Sequence, residues 1–190
     1  HVTYFWNGNR SSKFDGETYL EIESDVVPFE QRPWMKAAEI TDAMIEALKS
    51  GKYQTLRCNF PNGDMVGHTG SFRAATMAIE AVDIGLARLL PVIDALGGVA
   101  IITADHGNAD EMYEIDKKTG MPKVNKDGTF KAKTSHTLNK VPCILYDNVT
   151  GGKLSLKEGD WGLSNIAATT ANLLGLEKHE AWDDSMLIIK

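Results

Sequence analysis

Three stretches of the chain repeat apolar residues at helical spacing, and shorter runs alternate or cluster them as strands do. From Met35 to Ser50, Ile40, Met44, Ile45 and Leu48 fall on one helical face, and Gly51 suits the residue after the last turn. Ser71 to Leu96 carries a longer stripe of Met77, Ala78, Ala81, Val82, Leu86 and Leu89. Pro91 is expected to kink or split that helix, because it lacks an amide hydrogen and its ring crowds the preceding turn. Gly97-Gly98 should end it. A last helix is expected to start at a Ser164 cap and to end at Leu174-Gly175. It should bury Ile166, Ala167, Thr170, Leu173 and Leu174.

The strand-like runs are residues 1–6, Glu17 to Val27, Tyr53 to Phe60, residues 98–103 and Val141 to Tyr146. Asn7 to Ser12 has loop chemistry, Pro28 and Pro33 break the chain, and Pro61-Asn62-Gly63 reads as a turn. A strand, a helix and a second strand in succession predict an α/β fold: a mostly parallel sheet flanked by helices. Residues 116–133, rich in Lys, Gly and Asn, should form an exposed hairpin or loop. Neither an internal repeat nor a linker interrupts the pattern, so residues 1–190 read as one domain.

Composition narrows the function classes. At 190 residues, 43% hydrophobic and 24% charged, the chain can build a sizeable core. A net charge of −6 argues against a nucleic-acid or anionic-membrane surface. It does not exclude a phosphate substrate, because bound cations can dominate the local charge of a site. The chain lacks an apolar run near the roughly 20 residues a bilayer span requires. Cys58 and Cys143 lie far apart in apolar contexts and read as thiols in a reducing compartment. The abrupt start at His1-Val2-Thr3-Tyr4-Phe5-Trp6 suggests a chain cut into the body of a fold.

The candidate chemistry gathers in three places. Thr103-Ala104-Asp105-His106-Gly107-Asn108-Ala109-Asp110 follows a buried strand and opens on a glycine turn. Asp105 and His106 thus sit at a strand end, where open α/β sheets place ligands. Asp64 and His68 have i, i+4 spacing, which puts both on one face if the segment is helical. His136 sits in Thr134-Ser135-His136-Thr137. Carboxylate and imidazole suit divalent metals. Each piece alone also has a plainer reading. Asp-x-x-x-His is common by chance, a lone His is often structural, and Asp110 and Glu111 read as solvated loop charges. Ser135 reads as a hydrogen-bonding loop residue, and His1 and His179 as structural. Five potential ligands exceed the three of a single catalytic metal and fall short of the six or so that two metals need.

In combination and order, the segments 62–70, 103–109 and 134–137 resemble cofactor-independent phosphoglycerate mutase, a family of the alkaline phosphatase-like metalloenzymes. Residues 1–8 and the segment from Leu163 to Leu176 are similar as well, so the likeness runs through the whole chain. The resemblance implies two divalent ions, Mn²⁺ first, with Co²⁺, Zn²⁺ or Mg²⁺ as alternatives, and no need for 2,3-bisphosphoglycerate. Asp64, His68 and His136 would hold one ion; Asp105 and His106 would help to hold the other. An Asp and the nucleophilic Ser that complete the second site are expected in an N-terminal segment outside these residues, as is the transferase domain. The chain would therefore be the C-terminal portion of the phosphatase-like domain, without a catalytic nucleophile of its own. The implied reaction interconverts 3-phosphoglycerate and 2-phosphoglycerate through a phosphoserine, in glycolysis or gluconeogenesis, in a cytoplasmic enzyme expected to be monomeric. The 190-residue chain alone is expected to be inactive, and to be poorly soluble or to self-associate through uncovered surface. A related phosphatase or phosphopentomutase and a non-catalytic module are the competing readings.

Overall fold

A computed structural model describes residues 2–190, and the chain divides into two compact units. The first comprises residues 2–92 with 106–140, and the second residues 93–105 with 141–190.

In the first unit, helix α1 spans Ala37–Lys49 and α2 spans Asn62–Gly67, while α3, Phe72–Ala95, begins here and ends in the second unit. Residues 61–63, expected as a turn, instead open α2, with Met65 N donating to Pro61 O at 2.9 Å. Apart from Met65, little in Asn-Gly-Asp-Met-Val-Gly favours a helix: Asn, Asp and Val are modest formers and Gly is poor. Two tertiary anchors hold the segment. Buried Asn62 donates through Nδ2 to Pro33 O at 3.1 Å and Trp34 O at 2.9 Å. Val66 is fully buried among Ala74 and Ala78 of α3, with Phe29 and Met35 packed alongside. Removing a Val side chain from water contributes about 1.5–3 kcal/mol toward offsetting the poor propensity of so short a helix.

Helix α3 runs through Pro91 without a break, so the expected split does not occur. Its buried line is Ala74, Ala78, Gly85, Leu89 and Ile93, while Met77, assigned to the stripe, is 40% exposed. Small residues open the line and large apolar ones close it, and at Gly85 a Cβ would come within 2.6 Å of Thr41 Oγ1 of α1.

The expected strand at residues 1–6 is instead a set of turns, closed by Asn7 N donating to Thr3 O at 3.0 Å. His1 lies outside the described residues. Segments 17–27 and 53–60 are not strands either, because neither enters a ladder among the described residues. Apolar alternation creates a surface that can pair, but a strand exists only where a partner backbone meets it. The exposed hairpin expected at residues 116–133 is present and reaches back to Tyr113, bridged at Tyr113–Ala132, Ile115–Pro122 and Val124–Phe130.

In the second unit, β1 (Ala100–Thr103) pairs with β2 (Cys143–Tyr146), from Ala100 opposite Tyr146 to Thr103 opposite Cys143. Strand β3 (Leu154–Leu156) pairs with β4 (Leu187–Ile189). Both pairs are antiparallel, where a mostly parallel sheet was expected. The helices and small sheets still belong to the α/β class; what differs is that each strand meets a segment running back toward it.

Helix α4 spans Asn165–Leu173. Ser164 takes the cap position without a side-chain cap bond. The buried side is Asn165, Ile166, Ala168, Thr169 and Ala171, and Leu174 is 49% exposed, so of the predicted set only Ile166 is fully buried. Two polar residues explain the rotation. Asn165 Nδ2 donates to Asp184 O at 2.8 Å, and Met186 N donates to Thr169 Oγ1 at 2.9 Å. The helix turns its Asn and Thr inward to satisfy the backbone of the segment that leads into β4.

Candidate metal centre

Helix α2 buries Val66 and turns Asp64 and His68, one helical turn apart, to the opposite side. There they meet His136, carried by the loop after the hairpin arm. Asp64 Oδ1 lies 3.1 Å from His68 Nε2 and 3.0 Å from His136 Nε2, and the two nitrogens are 3.1 Å apart. Three donor atoms thus form a nearly equilateral triangle. Metal–ligand bonds of about 2.0–2.2 Å place neighbouring donors about 3 Å apart, so the triangle has the size a divalent ion requires.

The tautomer of His68 strengthens this fit. Its Nδ1 lies 2.6 Å from Thr134 O, which can only accept, so Nδ1 carries the proton. In the neutral ring Nε2 is then left with a lone pair, the form in which imidazole binds metals. That lone pair faces a carboxylate oxygen and a second imidazole nitrogen. Such an arrangement is repulsive unless a proton or a cation lies within it, and Asp with two His is the chemistry of a divalent-metal site. The side chains of Asp64, His68 and His136 are 30%, 39% and 49% exposed, which leaves the triangle open to a ligand.

His106 borders the triangle rather than standing apart. Its ring stacks on that of His136 at 3.7 Å between centroids and 19° between planes, and its Nδ1 is 4.0 Å from Asp64 Oδ1. Asp105 is the last residue of its stretch of the second unit, two positions beyond the end of β1. Asp105 and His106, neighbours in the chain, are thus assigned to different units. His179 has a local structural role, accepting from Ala181 N at 3.1 Å.

Residues beyond the predicted ligands complete the surroundings. Asn108, 5% exposed, donates through Nδ2 to Asp64 Oδ1 at 2.7 Å and to Asp64 O at 3.2 Å. Asp110 is not a solvated loop charge: it accepts from Thr137 Oγ1 at 3.0 Å and from Asn139 Nδ2 at 2.6 Å. Burial acts to raise its pKa, but the hydrogen bonds from Asn139 and Thr137 outweigh it and hold the carboxyl below its ordinary range. Glu111 pairs with Lys133 at 2.9 Å. Asn108 and Asp110 sit beside the Asp105-His106-Gly107 motif, but nothing in the linear sequence told which of them would turn inward. Cys58 and Cys143 are unpaired and half-buried, and burial pushes the Cys58 thiol up to about 11, which makes it a poor nucleophile.

The chain is similar to known proteins. The chain is 47% identical over 191 residues to the 2,3-bisphosphoglycerate-independent phosphoglycerate mutase of Trypanosoma brucei brucei, and 42% identical over 194 residues to that of Ricinus communis. In each case the alignment takes in 98% of this chain and 34% of the relative, so the chain spans about a third of their length. A crystal structure of Leishmania mexicana phosphoglycerate mutase, described as at low cobalt concentration, superposes with a TM-score of 0.95 at 47% identity. It covers all of this chain, which matches 35% of it. A family model for the metalloenzyme superfamily matches residues 1–178. With that match on nearly the whole chain, and a donor triangle of the right size within it, this chain belongs to the metalloenzyme superfamily.

Proposed function

We propose that this chain supplies the metal-binding part of a phosphoglycerate mutase that works without added 2,3-bisphosphoglycerate. The observation that carries the reading is the Asp64–His68–His136 triangle, set in a chain similar along 98% of its length to proteins of that name. In the proposal Asp64, His68 and His136 hold one divalent ion, and Asp105 and His106 contribute to a second. Manganese is the proposed ion, with cobalt, zinc and magnesium as alternatives; a relative's structure at low cobalt concentration supports a divalent metal of this hardness.

A bound divalent ion would offset charge on phosphoryl oxygens and lower the pKa of a hydroxyl beside it. The chain's own contribution is positional. His68, fixed in one tautomer by Thr134 O, and Asp64, fixed by Asn108, present lone pairs to one point. The open side of the triangle leaves room for a phosphate group. The nucleophilic serine and the groups that bind the rest of the substrate are proposed to lie outside these 190 residues. Two unpaired thiols suit a cytoplasmic setting, and no described helix is long and apolar enough to cross a membrane.

The test is turnover of 3-phosphoglycerate, without 2,3-bisphosphoglycerate, by the full-length protein that contains these 190 residues, with the 190-residue chain alone expected to show none. A chelator should abolish it and Mn²⁺ or Co²⁺ should restore it. His136→Ala should lower both metal affinity and turnover by roughly 100-fold or more, since it removes one of only three donors. Turnover that survives both the chelator and the substitution would overturn the reading.

A further inference from the structure

We propose that Asn108 and Asp110 are positioning residues for the metal centre: the short turn of residues 107–110 grips helix α2 with one side chain and the His136 loop with the other. This rests on the reading that Asp64, His68 and His136 hold a divalent ion.

The first grip is on Asp64. Both atoms that Asn108 Nδ2 contacts, Asp64 Oδ1 and Asp64 O, are acceptors, so the amide can face them only with its NH₂. The bond to Oδ1 is the more telling one. That same oxygen is the corner of the donor triangle, and a 2.7 Å bond from a buried amide fixes its carboxylate rotation. Asn108 Oδ1 then points at Gly67 of α2, where a Cβ would overlap it and would lie 2.9 Å from Asn108 Cγ. Only glycine at position 67 lets the amide come this close. The Oδ1 atom is buried without a hydrogen-bond partner among the described residues, a cost accepted so that the NH₂ can face Asp64.

The second grip is on Thr137, the residue directly after His136. Its backbone N donates to Gly107 O at 2.8 Å, and its hydroxyl donates to the Asp110 carboxylate at 3.0 and 3.2 Å. Asp110 also accepts from Asn139 Nδ2 at 2.6 Å, so its carboxylate spans the loop on both sides of Leu138. Thr137 is 6% exposed, whereas the His136 side chain beside it is 49% exposed. The imidazole thus stands in the open on a backbone held from behind. A Cβ at Gly107 would overlap Thr137 Oγ1 and come within 2.6 Å of Asp110 Oδ1, so this contact too needs a glycine.

A merely structural role would stabilise the loop without touching the metal. A positioning role makes a different prediction, because the two arms act on two different ligands of one ion. The experiment titrates the metal-free full chain with Co²⁺ and follows the visible d–d bands, which report coordination geometry. Asn108→Ala and Asp110→Asn should each weaken Co²⁺ binding by about 10–100-fold, the usual consequence of losing a partner that orients a ligand, and should alter the band shape. Thr137→Val keeps the side-chain shape, removes only the hydroxyl, and serves if Asp110→Asn does not fold; it should weaken binding by about tenfold. His136→Ala is the control. If it abolishes binding while Asn108→Ala and Thr137→Val bind Co²⁺ with wild-type affinity and spectrum, the positioning role is wrong and the metal reading stands. If His136→Ala itself binds like wild type, the metal reading fails and the positioning role falls with it.

Discussion

Two regions of this chain solve the same packing problem and end differently. In the second unit, Asn165 and Thr169 face inward from α4, and their polar atoms bind the backbone of residues 184–186. Partners are backbone groups, and the network closes on itself. In the first unit, Asn108 and Asp110 also face inward and also pin a neighbouring segment. That network does not close. It ends on Asp64 Oδ1, His68 Nε2 and His136 Nε2, potential metal donors held about 3 Å apart. Buried Asn, Thr and Asp are therefore no guide to function by themselves. What separates a fastening from a site is whether the last atoms in the network are all satisfied by one another or converge on a point that a proton or a cation must fill.

Substitutions that act on one region and spare the other would sharpen this comparison. Gly67→Ala should have the largest effect. Alanine forms helix better than glycine by about 1 kcal/mol, but its Cβ must displace Asn108 from a buried position at a typical overpacking cost of about 1–3 kcal/mol. Metal affinity should fall at least about tenfold as Asp64 loses its partner, read by Co²⁺ titration beside urea unfolding. An unchanged affinity would mean that Asn108 does not set the Asp64 rotamer. Thr169→Val should come next. It preserves shape, leaves Met186 N unpaired in a buried place and costs about 1–3 kcal/mol in urea unfolding, with Co²⁺ affinity unaltered. A change in affinity there would show that the second unit's fastening and the metal centre are coupled.

Asp184→Asn should have the smallest effect. The Lys178 ammonium at 2.7 Å hydrogen-bonds to the Asp184 carboxylate and holds its pKa below the ordinary value. A lowered folded-state pKa contributes stability above the unfolded value of about 3.9, and this is lost as pH falls through the folded value. The side chain is 75% exposed, so solvent screens the pair. Stability measured from pH 6 down to pH 2 should fall slightly less steeply in the variant, with no change at neutral metal affinity. A steeper acid limb in the variant would contradict the sign of the shift.

The convergence of Asp64 and His68 is legible in the sequence, and for a simple reason. Asp64 and His68 are separated by one helical turn, so any helix at that place brings them together. His136 needed the likeness of three motifs in order, since its 68-residue separation from His68 says nothing of proximity. The supporting residues were not legible. Asp110 reads as a loop charge until the hairpin arm closes and brings Thr137 and Asn139 to it. The apolar residues of α4 suggest a Leu-lined inward side, whereas hydrogen bonds to residues 184–186 decide the rotation. Alternation at residues 17–27 and 53–60 marked surfaces able to pair, but pairing depends on another backbone and is not a property of the segment alone.

By itself, the sequence determined the chemistry available: which carboxylates and imidazoles exist, which lie one turn apart, and which glycines leave room beside them. Tertiary structure alone decided that a six-residue helix of poor formers would persist, because buried Asn62 and Val66 hold it from outside. It also decided that a closed hairpin arm would deliver His136 to that helix with its Nε2 about 3 Å from Asp64 Oδ1 and His68 Nε2. Local spacing can place two ligands, because a helix repeats by rule. The third depends on a long-range closure, which follows from the sum of many packing and hydrogen-bond contributions and from no single pattern in the chain.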